Sequence, residues 1–292
     1  MALNKQVFKT RALTAVIFAA VMLSGLLINQ WTFFVLFSVV HAGCWIEYQK
    51  LMGMIHPEYK QLNPFHKYGI IVLGWAFMMW MTNSGYYVLG FQLHEIGWWL
   101  FLAMLIALPV SEMLFSRQFN GKNAWYSLIG FVYISLCWAL MMDLRNAGMI
   151  FKGTMLFIDL GWVYPVVLIA SIWINDTMAY IVGSFIGKTP FSSISPKKTW
   201  EGTAGGAILA VITVTLAGHF VFGLNDVVTL IALSSIGAIF GTAGDLLESK
   251  LKRMAGVKDS GNIMPGHGGF LDRFDSLLLA TPFAWLFIRF FI

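Results

Sequence analysis

Between Arg11 and Glu47 the chain carries no Asp, Glu, Lys or Arg. That run is far longer than the ~7–15-residue apolar core of a cleaved signal. It is long enough for two crossings of a bilayer at roughly 20 residues each. Asn29 and Gln30 interrupt it, so it reads as two retained spans joined by a tight break. Charge-poor stretches recur along the chain, and they predict nine transmembrane helices at residues 12–28, 31–47, 68–89, 97–115, 124–142, 162–187, 203–222, 227–252 and 275–291. The fold class expected is therefore all-α, a polytopic integral membrane protein. Only 11% of residues are charged, against about 25% in a soluble domain. Cys44 and Cys137 fall inside apolar runs and read as packing residues.

The Lys and Arg residues fix an orientation. With a cytoplasmic N-terminus, sixteen of the nineteen fall on inner segments, leaving Arg145, Lys152 and Arg289 outside. This places the 188–202 and 253–274 loops on one cytoplasmic face. The domain reading is five N-terminal spans over residues 1–150 and a region carrying the site loops over 151–292. The net charge of +5 alone is compatible with nucleic acid. Aromatics are not interleaved with the basic residues, so no nucleic acid partner is expected.

Chemistry is concentrated where charge is dense. Lys250, Lys252, Arg253, Lys258 and Arg273, with carboxylates among them, suit a phosphate-rich substrate held with a metal ion. On the eighth span Gly237, Gly241 and Asp245 share a face, continued by Ser249 and Lys252. The glycines permit close helix approach, and Asp245 is a functional candidate. In PGHGGFLDRFD, residues 265–275, the glycines let backbone N–H groups approach a ligand, and Asp272 and Asp275 open the next helix. His267 lies within that loop. Asn175 and Asp176 interrupt the sixth span. In SPKKTWEG, residues 195–202, Lys197 and Lys198 sit at the first turn of a helix, where cations oppose the dipole unless an anion is bound. Glu201 is a partner for either lysine. Glu47 reads as an interface residue, and Glu112 has no assigned role.

These residues resemble the signature of the phosphatidate cytidylyltransferases, the CDP-diacylglycerol synthases. The likeness runs through Ser249, Lys252, Arg253, Lys258, Asp259, Gly261, Pro265, His267, Gly268, Gly269, Phe270, Asp272, Arg273 and Asp275. Met264 departs from the usual Leu, Ile or Phe. The first 150 residues are similar only as a set of apolar helices. The resemblance implies that CTP and phosphatidate react to CDP-diacylglycerol and pyrophosphate, with Mg²⁺ required and K⁺ as a candidate second ion. It implies Asp245 and Asp272 as metal ligands and a catalytic lysine that is either Lys197 or Lys198. It further implies a multi-pass enzyme of the inner or plasma membrane, commonly dimeric, surrounded by membrane lipids.

The remaining expectations follow from the chemistry. His267 and Arg273 join the catalytic set. Asp176, Ser249, Lys252, Arg253, Lys258, Asp259, Gly268, Gly269 and Asp275 serve substrate and phosphate binding. A lateral opening between the sixth and eighth spans would admit acyl chains. The alternatives are a CTP-using polyprenol kinase, a secondary transporter and an inactive structural homologue, the last opposed by the presence of Asp245, Asp272 and Asp275. The absence of a visible repeat counts against the transporter.

Overall fold

In a computed structural model, the residues described are 5–115, 121–152, 156–263 and 268–292. They form ten α-helices: α1 Lys5–Leu27, α2 Gln30–Ile55, α3 Pro64–Trp80, α4 Leu93–Phe115, α5 Gly121–Gly130, α6 Cys137–Ala147, α7 Val163–Ile186, α8 Trp200–Leu216, α9 Val227–Met254 and α10 Leu271–Phe291. A π-helical turn, Phe131–Leu136, joins α5 to α6 into one rod. Another, Ala217–Val221, extends α8. A 3₁₀ helix, Pro57–Gln61, follows α2, and there are two small antiparallel hairpins: β1 Tyr87–Val88 with β2 Phe91–Gln92, and β3 Met149–Lys152 with β4 Leu156–Asp159.

Eight of the nine charge-poor stretches are helical almost throughout; the third, 68–89, is helical only to Trp80 and then turns into β1. Seven helices among the described residues are long and apolar enough to cross a membrane: α2, α4, the Gly121–Ala147 rod, α7, α8 with its π turn, α9 and α10. α3 has 17 residues, and the apolar part of α1, Leu13–Leu27, is also shorter. The break at Asn29 is as expected. Asn29 Oδ1 accepts from the amides of Trp31 and Thr32, and the Thr32 hydroxyl receives the Asn29 amide, a reciprocal cap that starts α2.

The chain divides into two compact units. One comprises Met1–Asp143 with Met254–Arg273, the other Leu144–Arg253 with Phe274–Ile292. The first has an aromatic core. Phe37 lies 4.9 Å from Trp138, and Phe34 packs on Trp75 and Tyr86. Several buried polar groups there are paired. Trp45 Nε1 donates to Ser135 Oγ at 2.8 Å, and His41 Nε2 meets the same hydroxyl at 2.9 Å. His66 lies between Ser127 and Glu112, which accounts for the carboxylate that sequence left unassigned. Such pairing is what lets polar groups stay out of water.

In the second unit α7 and α8 pack backbone to backbone through small residues. A β-carbon at Gly202 would stand 2.8 Å from Gly183 Cα, and one at Gly206 would stand 2.7 Å from Ala179 Cβ. The expected opening between α7 and α9 is closed at the glycine seam. A β-carbon at Gly237 would lie 3.0 Å from Ser171 Cβ, and one at Gly241 would lie 3.2 Å from Ile172. Small residues there serve helix contact, because each missing side chain lets two backbones approach.

Candidate active site

The second unit brings three carboxylates together. Gly244 allows α9 to press on the start of α10, where a β-carbon would meet the Asp275 carbonyl oxygen at 2.5 Å. Close approach at that turn sets Asp245 and Glu248 of α9 beside Asp275 of α10. One carboxylate oxygen from each lies within 4.8 Å of the others. Glu248 and Asp275 are buried, whereas Asp245 retains access to solvent. Three adjacent carboxylates repel one another and lose hydration. Two ammonium groups offset part of this: Lys198 pairs with Asp245, and Lys252 pairs with Glu248 one helical turn away.

Lys198 is delivered by a braced loop. Its carbonyl accepts from Phe191 N at 2.8 Å, and its amide donates to Ser195 O at 3.1 Å. Thr199 then caps α8 by accepting from Gly202 N. Glu201 does not pair with either lysine, as sequence had allowed. Its carboxylate accepts from the Lys188 and Thr189 amides, both at 3.1 Å, and from the Thr189 hydroxyl at 2.8 Å. Lys197 is exposed while Lys198 lies on Asp245, so the two lysines have unlike environments. Beneath this group Asn175 Nδ2 donates to Thr242 Oγ1 at 3.3 Å.

Hard, adjacent oxygen donors with excess negative charge are the donor set of a Mg²⁺-type ion. The Asp245, Glu248 and Asp275 carboxylates therefore fit the cation that the resemblance implies.

The first unit holds the other half of the signature. Asp272 Oδ2 accepts from the Ser260 amide at 2.8 Å and the Gly269 amide at 2.8 Å, and the Ser260 hydroxyl oxygen lies 2.9 Å from it. Gly268 has φ +83°, a conformation that a side chain disfavours, and it precedes the turn into α10. Glu47, near the end of α2, is buried rather than interfacial. Its Oε1 accepts from Phe270 N at 2.8 Å, and its Oε2 accepts from Leu271 N at 2.9 Å and Ser260 Oγ at 2.6 Å. A buried carboxylate costs several kcal/mol to desolvate. Three donors at roughly 1.5–3 kcal/mol each offset that cost.

Of the other candidates, Ser249 is half-buried on α9, and Arg253, Lys258, Asp259, Asp176 and Arg273 are exposed. His267 lies outside the described residues. Sequence reasoning passed over Glu248 and Glu47. Glu248 had a signal, since it sits three residues after Asp245 and four before Lys252 on one helix. Glu47 had none, because its partners are more than 200 residues away.

A sequence model of the cytidylyltransferase family matches residues 9–291. The chain is 30% identical over 286 residues to a phosphatidate cytidylyltransferase of Bacillus subtilis (strain 168), covering 97% of this chain and 98% of that protein. It is 34% identical over 276 residues to one of Staphylococcus saprophyticus, at 94% and 96% coverage. For one of Staphylococcus haemolyticus the figures are 33% identity over 276 residues, with the same coverage.

Proposed function

The chain belongs to the cytidylyltransferase family, and from that premise we propose that it is a phosphatidate cytidylyltransferase, forming CDP-diacylglycerol and pyrophosphate from CTP and phosphatidate. The observation that carries the reading at the level of residues is the Asp245, Glu248 and Asp275 group, met by Lys198 and Lys252.

The nucleophile is a phosphate monoester with a second pKa near 6. It is largely dianionic at neutral pH and needs no strong general base. Its oxygen attacks the α-phosphorus of CTP, a new P–O bond forms, and the bond to the β-phosphate breaks, releasing pyrophosphate. The obstacle is repulsion between two anions, so catalysis rests on charge neutralisation and in-line positioning. Asp245, with Glu248 and Asp275, would hold Mg²⁺, which supplies charge to phosphate oxygens when bound. Lys198 carries a cation at the edge of this carboxylate group, and Lys252 keeps Glu248 charge-balanced. Lys198 is the catalytic lysine in this reading, and Lys197 is the auxiliary one.

On the resemblance we also assign Asp272 to metal binding, His267 and Arg273 to phosphate contacts, and Asp176, Ser249, Arg253, Lys258, Asp259, Gly268 and Gly269 to the substrate-binding set. Nine spans with a cytoplasmic N-terminus, residues 151–292 as the catalytic region, a cytoplasmic site in the plasma membrane, K⁺ as a second ion and a homodimer complete the proposal.

The test is product analysis of purified protein in detergent–phosphatidate micelles with CTP and Mg²⁺. Equal amounts of pyrophosphate and CDP-lipid support the reading. Release of CDP without CDP-lipid moves the protein to lipid phosphorylation.

A further inference from the structure

We infer that Glu47, a residue of α2 far outside the signature, is a positioning residue for the reaction, holding the loop and helix start that present Asp272. The inference rests on the cytidylyltransferase reading. Glu47 is buried, and its two oxygens accept three hydrogen bonds from one short region: the amides of Phe270 and Leu271 at the opening of α10, and the hydroxyl of Ser260. The free amides of a helix start attract a carboxylate. Here the carboxylate comes from another helix.

Two further observations point the same way. A β-carbon at Gly261 or at Gly269 would collide with the Glu47 carboxylate. Those signature glycines thus leave the space that the Glu47 carboxylate fills. A β-carbon at Gly43, one turn before Glu47, would strike the Phe270 ring, so α2 is shaped to receive this loop.

The link to Asp272 runs through Ser260. Its hydroxyl lies 2.6 Å from Glu47 Oε2 and 2.9 Å from Asp272 Oδ2. A hydroxyl has one proton to give. With that proton directed to Glu47, the nearer acceptor, Asp272 Oδ2 is held by the Ser260 and Gly269 amides. Glu47 thereby sets the position of both amides that aim Asp272, and a small displacement of a catalytic group is costly to rate.

The experiment compares purified full-length wild type with Glu47→Ala, Glu47→Gln and Ser260→Ala. It reads kcat, KM for each substrate, thermal unfolding, and amide hydrogen exchange over residues 258–271. In the folded variants kcat should fall by about tenfold or more with KM for phosphatidate within about twofold. Exchange at Phe270 and Leu271 should rise in the Glu47 variants while α2 stays protected. Gln keeps one acceptor and should recover part of the activity that Ala loses. If Glu47→Ala does not fold, Glu47→Gln and Ser260→Ala decide. Turnover and exchange within about twofold of wild type in those variants would overturn the inference, as would loss of activity matched by loss of folded protein. Should wild type itself form no CDP-lipid, the cytidylyltransferase reading fails, while exchange at residues 270 and 271 still reports whether Glu47 holds the loop.

Discussion

At the scale of residues, neighbouring groups of one type take different tasks because the backbone presents them differently. Lys197 and Lys198 are adjacent, yet only Lys198 is turned onto Asp245, the Thr199 cap and the Glu201 brace having fixed the loop. Lys198→Ala should lower kcat/KM by about 100-fold, as expected for loss of a contact to a charged group worth about 3 kcal/mol, and Lys197→Ala by less than about tenfold. Similar values from steady-state assays of both variants would count against the assignment. Glu248 and Lys252 form a buried pair. Glu248→Gln removes a buried carboxylate that faces the Lys252 ammonium and should cost about 3 kcal/mol of stability. Adding Lys252→Met should restore part of that loss in denaturant titrations, because the buried ammonium is then gone as well.

At the scale of elements, glycine placement decides which helices meet. A methyl group at position 244 meets a backbone carbonyl, which cannot yield. One at position 241 meets the Ile172 side chain at 3.2 Å, which can shift. Gly244→Ala should therefore depress both activity and melting temperature more than Gly241→Ala. The start of α9 offers a separate test. Asp226 accepts from the Thr229 amide and hydroxyl, which hold its carboxyl below the ordinary value of 3.8. A carboxyl lowered on folding contributes stability that is fully present above its unfolded pKa and lost as pH falls through its folded one. Asp226→Ala should cost about 0.5–1 kcal/mol at neutral pH. The difference from wild type should shrink on acidification below the unfolded value. A pH-independent difference would contradict this account. The sequence revealed these elements well, because each span is a charge-poor run and the 249–275 signature is one short segment. It did not reveal Glu47, whose partners lie across the length of the chain. Nor did it reveal that Glu201 binds amides, since hydrogen-bonding choice depends on where the 188–199 loop folds back.

At the scale of the whole molecule, charge is distributed unevenly along the chain. Cations cluster on segments assigned to one face, where an anionic nucleotide and an anionic lipid must both arrive. Single cysteines at Ser193 and Asn262, in a variant lacking Cys44 and Cys137, should react with an impermeant thiol reagent only from the cytoplasmic side of membrane vesicles. A cysteine at Asn225 should react only from the opposite side. Labelling of positions 193 and 262 from different sides would break the proposed topology. If the Asp245, Glu248 and Asp275 carboxylates drive cytidylyl transfer, turnover of Asp245→Asn beside wild type will report it. Pyrophosphate and CDP-lipid are quantified together, and folding of both proteins is checked by thermal unfolding. The prediction is matched formation of both products by wild type and a loss of at least about 100-fold in the folded variant. Wild-type rates from folded Asp245→Asn would contradict it.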